Sequence, residues 1–199
     1  MKKILLLVVL ALAVPAASLA SNVVDFSNKG KISGSSSGLM LSSTLTAVNG
    51  LNGGGLITGH LGSVQFTTGA LLSGSLAMGG MFAAGGSLTI TGNGTHGIPN
   101  GTLFTGTFSG PVTWTLITAA NGTHNYDLMG TVTGELDGIA HVGAIVQLTA
   151  STGSHFFTGH PIDSSGNTAL SPIPEPGSLS LLGTGVLALA GFLRRKGKI

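Results

Sequence analysis

The feature that most limits how this chain can fold is a regular alternation of apolar side chains with threonine. Leu88 and Ile90 alternate with Thr89 and Thr91, and the same period of two recurs in residues 112–116, 131–136 and 141–149. Successive side chains of a strand point to opposite faces of the sheet, so this pattern places one face in a core and the other in water. We therefore predict a series of half-buried antiparallel strands.

Turn signals separate these segments. Asparagine or aspartate followed by glycine supplies the positive φ angles of tight hairpin turns, and such dipeptides occur at 93–94, 100–101, 121–122 and 137–138. Residues 70–84 are also predicted as strands, since each of their central glycines would cost a helix about 1 kcal/mol relative to alanine. These signals favour an all-β fold, either an antiparallel β-sandwich or a flattened barrel. A glycine-rich β-solenoid is the alternative, but no strict repeat period supports it.

Residues 21–171 are predicted to form one domain, because about 150 residues suffice for a single core. Residues 27–63 are rich in glycine and serine, with runs at 33–38 and 52–55 that are typical of loops. We expect loops or turns between short apolar pieces there, and the weakest structural order in the domain.

The charge distribution argues against nucleic acid as a partner. Six of the eight basic residues lie in the first three or the last six positions of the chain. Between residues 21 and 173 there remain two lysines and five carboxylates, a net charge of −3. Such a surface offers no basic stripe for phosphates. The chain also contains no cysteine, so packing and hydrogen bonds must stabilise it without disulfides.

The first 20 residues have the layout of a secretory signal peptide. Lys2 and Lys3 precede an apolar run over residues 4–14, and small residues follow as far as Ala20. The apolar run is too short for an ordinary membrane span. We predict cleavage after Ala20 and export of the remaining chain through the secretion machinery.

The C-terminal segment has the layout of a membrane anchor. The tripeptide Pro174-Glu175-Pro176 lies in a proline-rich linker, the uncharged residues 178–193 follow, and Arg194-Arg195-Lys196 completes the series. Residues 178–193 are predicted to form a transmembrane helix, with flanking residues extending its reach across the bilayer. The basic cluster acts as a stop that stays cytoplasmic, which leaves the domain outside the inner membrane.

This segment resembles the PEP-CTERM sorting signal of Gram-negative bacteria. The resemblance covers residues 172–199 and implies recognition of Pro174, Glu175 and Pro176 by exosortase, a membrane cysteine protease-like transpeptidase. It also implies a precursor tethered to the inner membrane that later reaches the outer surface or extracellular matrix, in organisms that make exopolysaccharide. A plain single-span anchor is the alternative. The resemblance implies no catalytic residue in this chain and says nothing about residues 21–171.

The candidate catalytic and metal-binding residues match the patterns of known sites poorly. Glycoside hydrolysis needs two carboxylates facing across a cleft, and Glu135 and Asp137 are the pair that a strand would bring together, beside Asp127 and Asp163. A strand end with charges in water explains them better. The six histidines lack the spacing of a metal site and are interpreted as solvated loop residues: His60, His96, His124, His141, His155 and His160. We predict no cofactor, no metal and no enzymatic activity.

Trp114 and Tyr126, with Phe104 and Phe108, are candidate contacts for sugar rings. The alternation places Trp114 in phase with its apolar neighbours, however, which favours a core position. Three functions are therefore carried forward: a non-enzymatic surface or matrix protein associated with exopolysaccharide or biofilm, a carbohydrate-binding module for cell-surface polysaccharide, and a polysaccharide hydrolase.

Overall fold

The computed structural model describes residues 23–172, which form an all-β domain. A short 3-10 turn at Leu51–Gly53 is its one helical element within these residues. The strands, in chain order, are β1 Val24–Ser35, β2 Gly38–Asn49, β3 Ile57–Thr67, β4 Leu71–Ser75, β5 Gly79–Phe82, β6 Gly85–Asn93, β7 Asn100–Phe108, β8 Val112–Thr118, β9 His124–Leu136, β10 Ile139–Gly153 and β11 Ile162–Pro172.

The sheet closes on itself. Its order around the ring is β10, β11, β1, β2, β3, β6, β7 and β9, and β9 pairs again with β10. These eight strands form a closed barrel, which selects the barrel from the two predicted architectures. Full closure removes the exposed edges that an open sheet presents.

The other three strands extend one end of the barrel. Residues 132–136 of β9 pair with β7, whereas residues 124–129 of the same strand pair with β8. Strands β5 and β4 then add to β8 in turn. The long strand β9 therefore belongs to both the barrel and its extension.

Both termini of the described chain lie at the end of the barrel opposite to the extension formed by β8, β5 and β4. Here β1 begins at Val24 and pairs with Leu170, close to the end of β11 at Pro172. The connection of residues 50–56, the connection of residues 94–99 and the turn at 137–138 also lie at this end. The two ends of the described chain therefore lie on neighbouring strands.

The predicted alternation matches the observed burial. Leu88, Ile90 and Val112 are buried, and the inward positions 142, 144, 146 and 148 of β10 are 3–4% exposed. The intervening threonines of β8 lie on the exposed face. Burial of apolar side chains inside the barrel, at about 25 cal/mol per Å² of apolar surface, is its main source of stability.

Two glycines of β9 make room for aromatic rings in the core. A Cβ atom at Gly130 would lie 2.7 Å from Cε1 of Phe108, and one at Gly134 would lie 2.8 Å from Cζ of Phe104. Carbon atoms in good contact are about 3.5–4.0 Å apart. The rings therefore occupy space that only glycine leaves open on the neighbouring strand.

We expect Gly130→Ala to lower the free energy of unfolding by about 1–3 kcal/mol, because the added methyl group overpacks the core against Phe108. Urea unfolding followed by circular dichroism measures this change. Gly55→Ala is the matched control, since a Cβ at Gly55 meets no atom within 4 Å. Equal stability of the two variants would contradict the proposed packing.

The structure corrects the prediction for residues 27–63. This segment contains most of β1, all of β2 and much of β3, so it is regular sheet rather than loops between short apolar pieces. Its glycines and serines fit close strand contacts: a Cβ at Gly30 would lie 2.3 Å from Cα of Ser43. Small residues here indicate tight packing. Of the predicted run 33–38 only residues 36–37 form a turn, and the predicted run 52–55 lies in the connection between β2 and β3.

The turn predictions hold at Asn121-Gly122 and Asp137-Gly138, whereas Asn93-Gly94 lies at the end of β6, before the chain reverses. Asp137 and Gly138 have φ angles of 46° and 81° and form the tight turn between β9 and β10, as predicted. Asn100-Gly101 instead begins β7, and the wrong prediction has a local reason. The chain reverses at His96-Gly97, where both φ angles are positive and the Ile98 amide donates to the Thr95 carbonyl.

Residues 70–84 form two strands, β4 and β5, as predicted. The predicted signal peptide over 1–20 and the predicted transmembrane helix over 178–193 lie outside the described residues. Within residues 23–172, no helix has the length and apolar character needed to cross a membrane.

Candidate functional site

Trp114 and Tyr126, the proposed sugar contacts, lie in the core. They are 1% and 0% exposed, and their rings stack with centroids 4.9 Å apart and an interplanar angle of 11°. The ring of Phe157 packs against both. Neither Trp114 nor Tyr126 presents a face to solvent, so the core interpretation of Trp114 is confirmed.

The polar atoms of these two rings form hydrogen bonds with loops at the end of the barrel that β8, β5 and β4 extend. The indole N–H of Trp114 donates to the Leu76 carbonyl at 3.0 Å, and the Tyr126 hydroxyl donates to the Ala77 carbonyl at 2.7 Å. The same hydroxyl accepts from the Phe157 amide at 2.9 Å. The β4–β5 turn and the connection after β10 are therefore held to one buried cluster.

The four candidate carboxylates are not arranged as an acid and a base across a cleft. Glu135 is exposed on β9, and Asp137 lies in the exposed turn that follows. Asp127 accepts a hydrogen bond from the Thr149 hydroxyl at 3.0 Å, while Asp163 pairs with Lys31 at 3.2 Å. Glu135 and Asp137 are therefore exposed to solvent, whereas Asp127 and Asp163 bond to neighbouring side chains.

The histidines are divided between loops and strands. His96, His155 and His160 lie in connections, as predicted, and the last two do not share a strand. The loop prediction is wrong for His60, His124 and His141, which belong to β3, β9 and β10. Polar residues near strand ends escape a pattern defined by apolar alternation. Among residues 23–172, no group of three His, Cys, Asp or Glu side chains is positioned to hold a metal ion.

The ring of Phe156 is exposed, and no periodic pattern in the sequence pointed to it. It is 45% exposed and stacks on His124 with centroids 4.3 Å apart and an interplanar angle of 16°. His124 Nδ1 lies 3.0 Å from the Thr118 hydroxyl. The sequence signal for an exposed ring was the pair Phe156-Phe157 in an irregular connection. The Phe157 ring lies in the core, and the Phe156 ring remains at the surface.

A shallow groove on the outer face of the barrel is a candidate binding site. It crosses β2, β1, β11 and β10 and has a volume of about 550 Å³. Its walls carry hydroxyl, amide and ammonium groups; the lining residues are Ser27, Asn28, Lys29, Thr46, Gln147, Leu148, Thr149, Ser165, Gly166 and Asn167. The sequence could not indicate it, since barrel closure brings together residues more than 100 positions apart.

Comparison with known proteins identifies the segment that follows the barrel. The fold and this segment define an exported β-barrel protein with a C-terminal sorting signal. Residues 172–196 match the family model of the PEP-CTERM protein-sorting motif, so this chain is a protein with that motif. The match begins at Pro172, the last residue of β11. No curated protein and no solved structure matches the chain significantly.

The motif marks an exported, membrane-anchored precursor that exosortase processes. Pro174, Glu175 and Pro176, the predicted recognition tripeptide, and Arg194, Arg195 and Lys196, the predicted basic stop, lie outside the described residues. They fall within the matched range 172–196.

Proposed function

We propose that this protein is a non-enzymatic component of the outer surface or extracellular matrix of a Gram-negative bacterium, sorted by exosortase and associated with exopolysaccharide. The observation that carries the proposal is the position of the sorting motif, which begins where the last barrel strand ends. Residues 22–171 form a compact unit of their own. A cut in the linker therefore leaves all eight barrel strands intact.

The order of events follows from this layout. The secretion machinery exports the chain, and residues 178–193 hold it in the inner membrane with Arg194, Arg195 and Lys196 on the cytoplasmic side. Exosortase then acts at Pro174-Glu175-Pro176. The last described β1–β11 pair is Val24 with Leu170, so the tripeptide lies beyond the pairing that closes the barrel.

The outer face supports an association with polysaccharide. Exposed positions of β8 and β9 carry hydroxyl groups, among them Thr113, Thr115, Thr131 and Thr133. Hydroxyl side chains both donate and accept hydrogen bonds, as sugar hydroxyls do. With few charges on the domain, contacts of this kind are its main means of polar recognition.

Fractionation of the native host tests the association. In cells that make exopolysaccharide, we expect the domain in the extracellular matrix fraction. In an isogenic strain that lacks the polymer, we expect the processed domain in the culture medium, because its main binding partner is gone. Retention of the domain in the inner-membrane fraction of both strains would contradict the proposal.

A carbohydrate-binding module is the second candidate function. The outer groove favours it, because that groove offers several hydrogen-bonding groups to one ligand. Trp114 and Tyr126 cannot serve as direct contacts in this arrangement because they are buried. A polysaccharide hydrolase would depend on Glu135 and Asp137, and no opposed pair of carboxylates supports it.

A further inference from the structure

The outer groove combines several hydrogen-bonding groups with a defined shape. Eight of its ten lining residues have polar side chains, and they come from four neighbouring strands; among them are Ser27, Lys29, Thr46, Gln147, Thr149 and Asn167. Binding sites for small ligands and polymer segments are typically concave, with a few convergent polar groups. The volume of about 550 Å³ falls within the usual range for such sites, roughly 300–1,000 Å³.

A β-bulge shapes the groove. Ser27 pairs with Ala47 and Asn28 pairs with Leu45, so Thr46 has no opposing residue on β1. The Thr46 hydroxyl donates to the Ser27 carbonyl at 3.1 Å. Bulges bend a strand and redirect side chains, and they are frequent beside functional sites. Here the bulge lies in the groove wall.

Asn167 supplies an amide oxygen that no group of the described residues donates to. Its Oδ1 atom is buried and accepts no hydrogen bond, the one such side-chain atom among the described residues. By contrast, the amide of Asn28, on the neighbouring strand, donates to Ser43 at 2.9 Å. Leaving a buried acceptor unpaired is unfavourable. A ligand that rearranges this amide and donates to it recovers that cost.

Lys29 supplies the positive charge of the groove. It and Lys31 are the only lysines or arginines between residues 4 and 193. Lys31 pairs with Asp163 at 3.2 Å, whereas Lys29 has no carboxylate partner among residues 23–172. The exposed ammonium group of Lys29 is therefore the cation of the groove that can pair with an anion of a ligand.

From these observations we propose that the groove binds a segment of an acidic polysaccharide. Sugar hydroxyls donate to the Asn167 amide oxygen and to the hydroxyl oxygens of Thr46 and Thr149, whose own protons go to Ser27 and Asp127. The Gln147 amide can both donate to and accept from the sugar, and a sugar carboxylate pairs with Lys29. The inference rests on the proposed association with polysaccharide and names the surface that makes it.

Binding to two defined polymers tests the site. The full chain is immobilised in a non-ionic detergent, and binding of polygalacturonate, a uronic acid polymer, and of dextran, a neutral polymer, is measured by interferometry. We expect polygalacturonate to bind more tightly and to weaken as salt is raised, because the lysine contact is screened. Lys29→Gln and Asn167→Ala are each expected to reduce its affinity by about tenfold.

Matched controls separate the groove from general charge. Lys31→Gln removes the same charge two residues away, from a lysine already paired with Asp163, and Asn125→Ala removes an asparagine amide on β9. Both are expected to bind polygalacturonate within about twofold of the parent chain. Equal losses in Lys29→Gln and Lys31→Gln, equal binding of both polymers, or no binding of either would overturn the proposal.

The result is independent of the sorting experiment. A chain that binds neither polymer but is processed and found in the matrix refutes the groove and leaves the proposed function in place. A chain that binds polygalacturonate through Lys29 but stays in the inner membrane of its host supports the groove and refutes the proposed location.

Discussion

Replacing Pro174, Glu175 and Pro176 together with alanine is expected to abolish processing, so that the exported chain keeps its C-terminal segment. Proline fixes an extended backbone that a peptidase can reach, whereas three alanines favour helix. The predicted helix over 178–193 can then extend toward β11, and the recognition tripeptide is lost. The fraction of cut chain in the native host is expected to fall below detection by immunoblot.

Ser178→Ala is the control for this substitution, since it changes a neighbouring residue and keeps the tripeptide. We expect it to be processed like the parent chain. Normal processing of the triple-alanine variant would mean that the tripeptide is not what exosortase recognises.

Trp114→Ala is expected to give the largest loss of stability among single substitutions in the core, about 3–5 kcal/mol in the free energy of unfolding. The indole is 1% exposed and stacks on Tyr126, so its removal leaves a large cavity. The substitution also leaves the Leu76 carbonyl without its donor, which loosens the β4–β5 turn. Equilibrium unfolding in urea measures the change.

Thr115→Ala is the control for the tryptophan. It lies on the same strand, one position further on, with its side chain on the exposed face. We expect a change within about 0.5 kcal/mol. If Trp114→Ala unfolded at the same urea concentration as Thr115→Ala, the indole would not be part of the core.

Local periodicity was enough to predict the fold class. The alternation of apolar residues with threonine in β6, β8, β9 and β10 reports burial directly, and the Asp137-Gly138 turn has the positive φ angles that its sequence predicts. These features depend on neighbouring residues only. The sorting motif was readable for the same reason, since its signals lie within residues 172–196.

The features that sequence reasoning missed depend on distant contacts. Barrel closure requires β1 to pair with β11, and Val24 and Leu170 are far apart in the chain. In the sequence alone Gly30 is typical of a loop, whereas in the fold it lies in a strand close to Ser43 of the neighbouring strand. The outer groove likewise exists because closure places Lys29 and Thr46 beside Asn167. Nothing in a single segment encodes such neighbours.

Intact mass and terminal sequencing of the protein from its native host test the central claim most directly. The account predicts a chain that starts near Ser21 and ends between Pro172 and Pro176, and that retains its C-terminal segment in a strain lacking exosortase. A chain that still ends at Ile199 in the wild-type host, or one that is cut without exosortase, would contradict sorting by that enzyme.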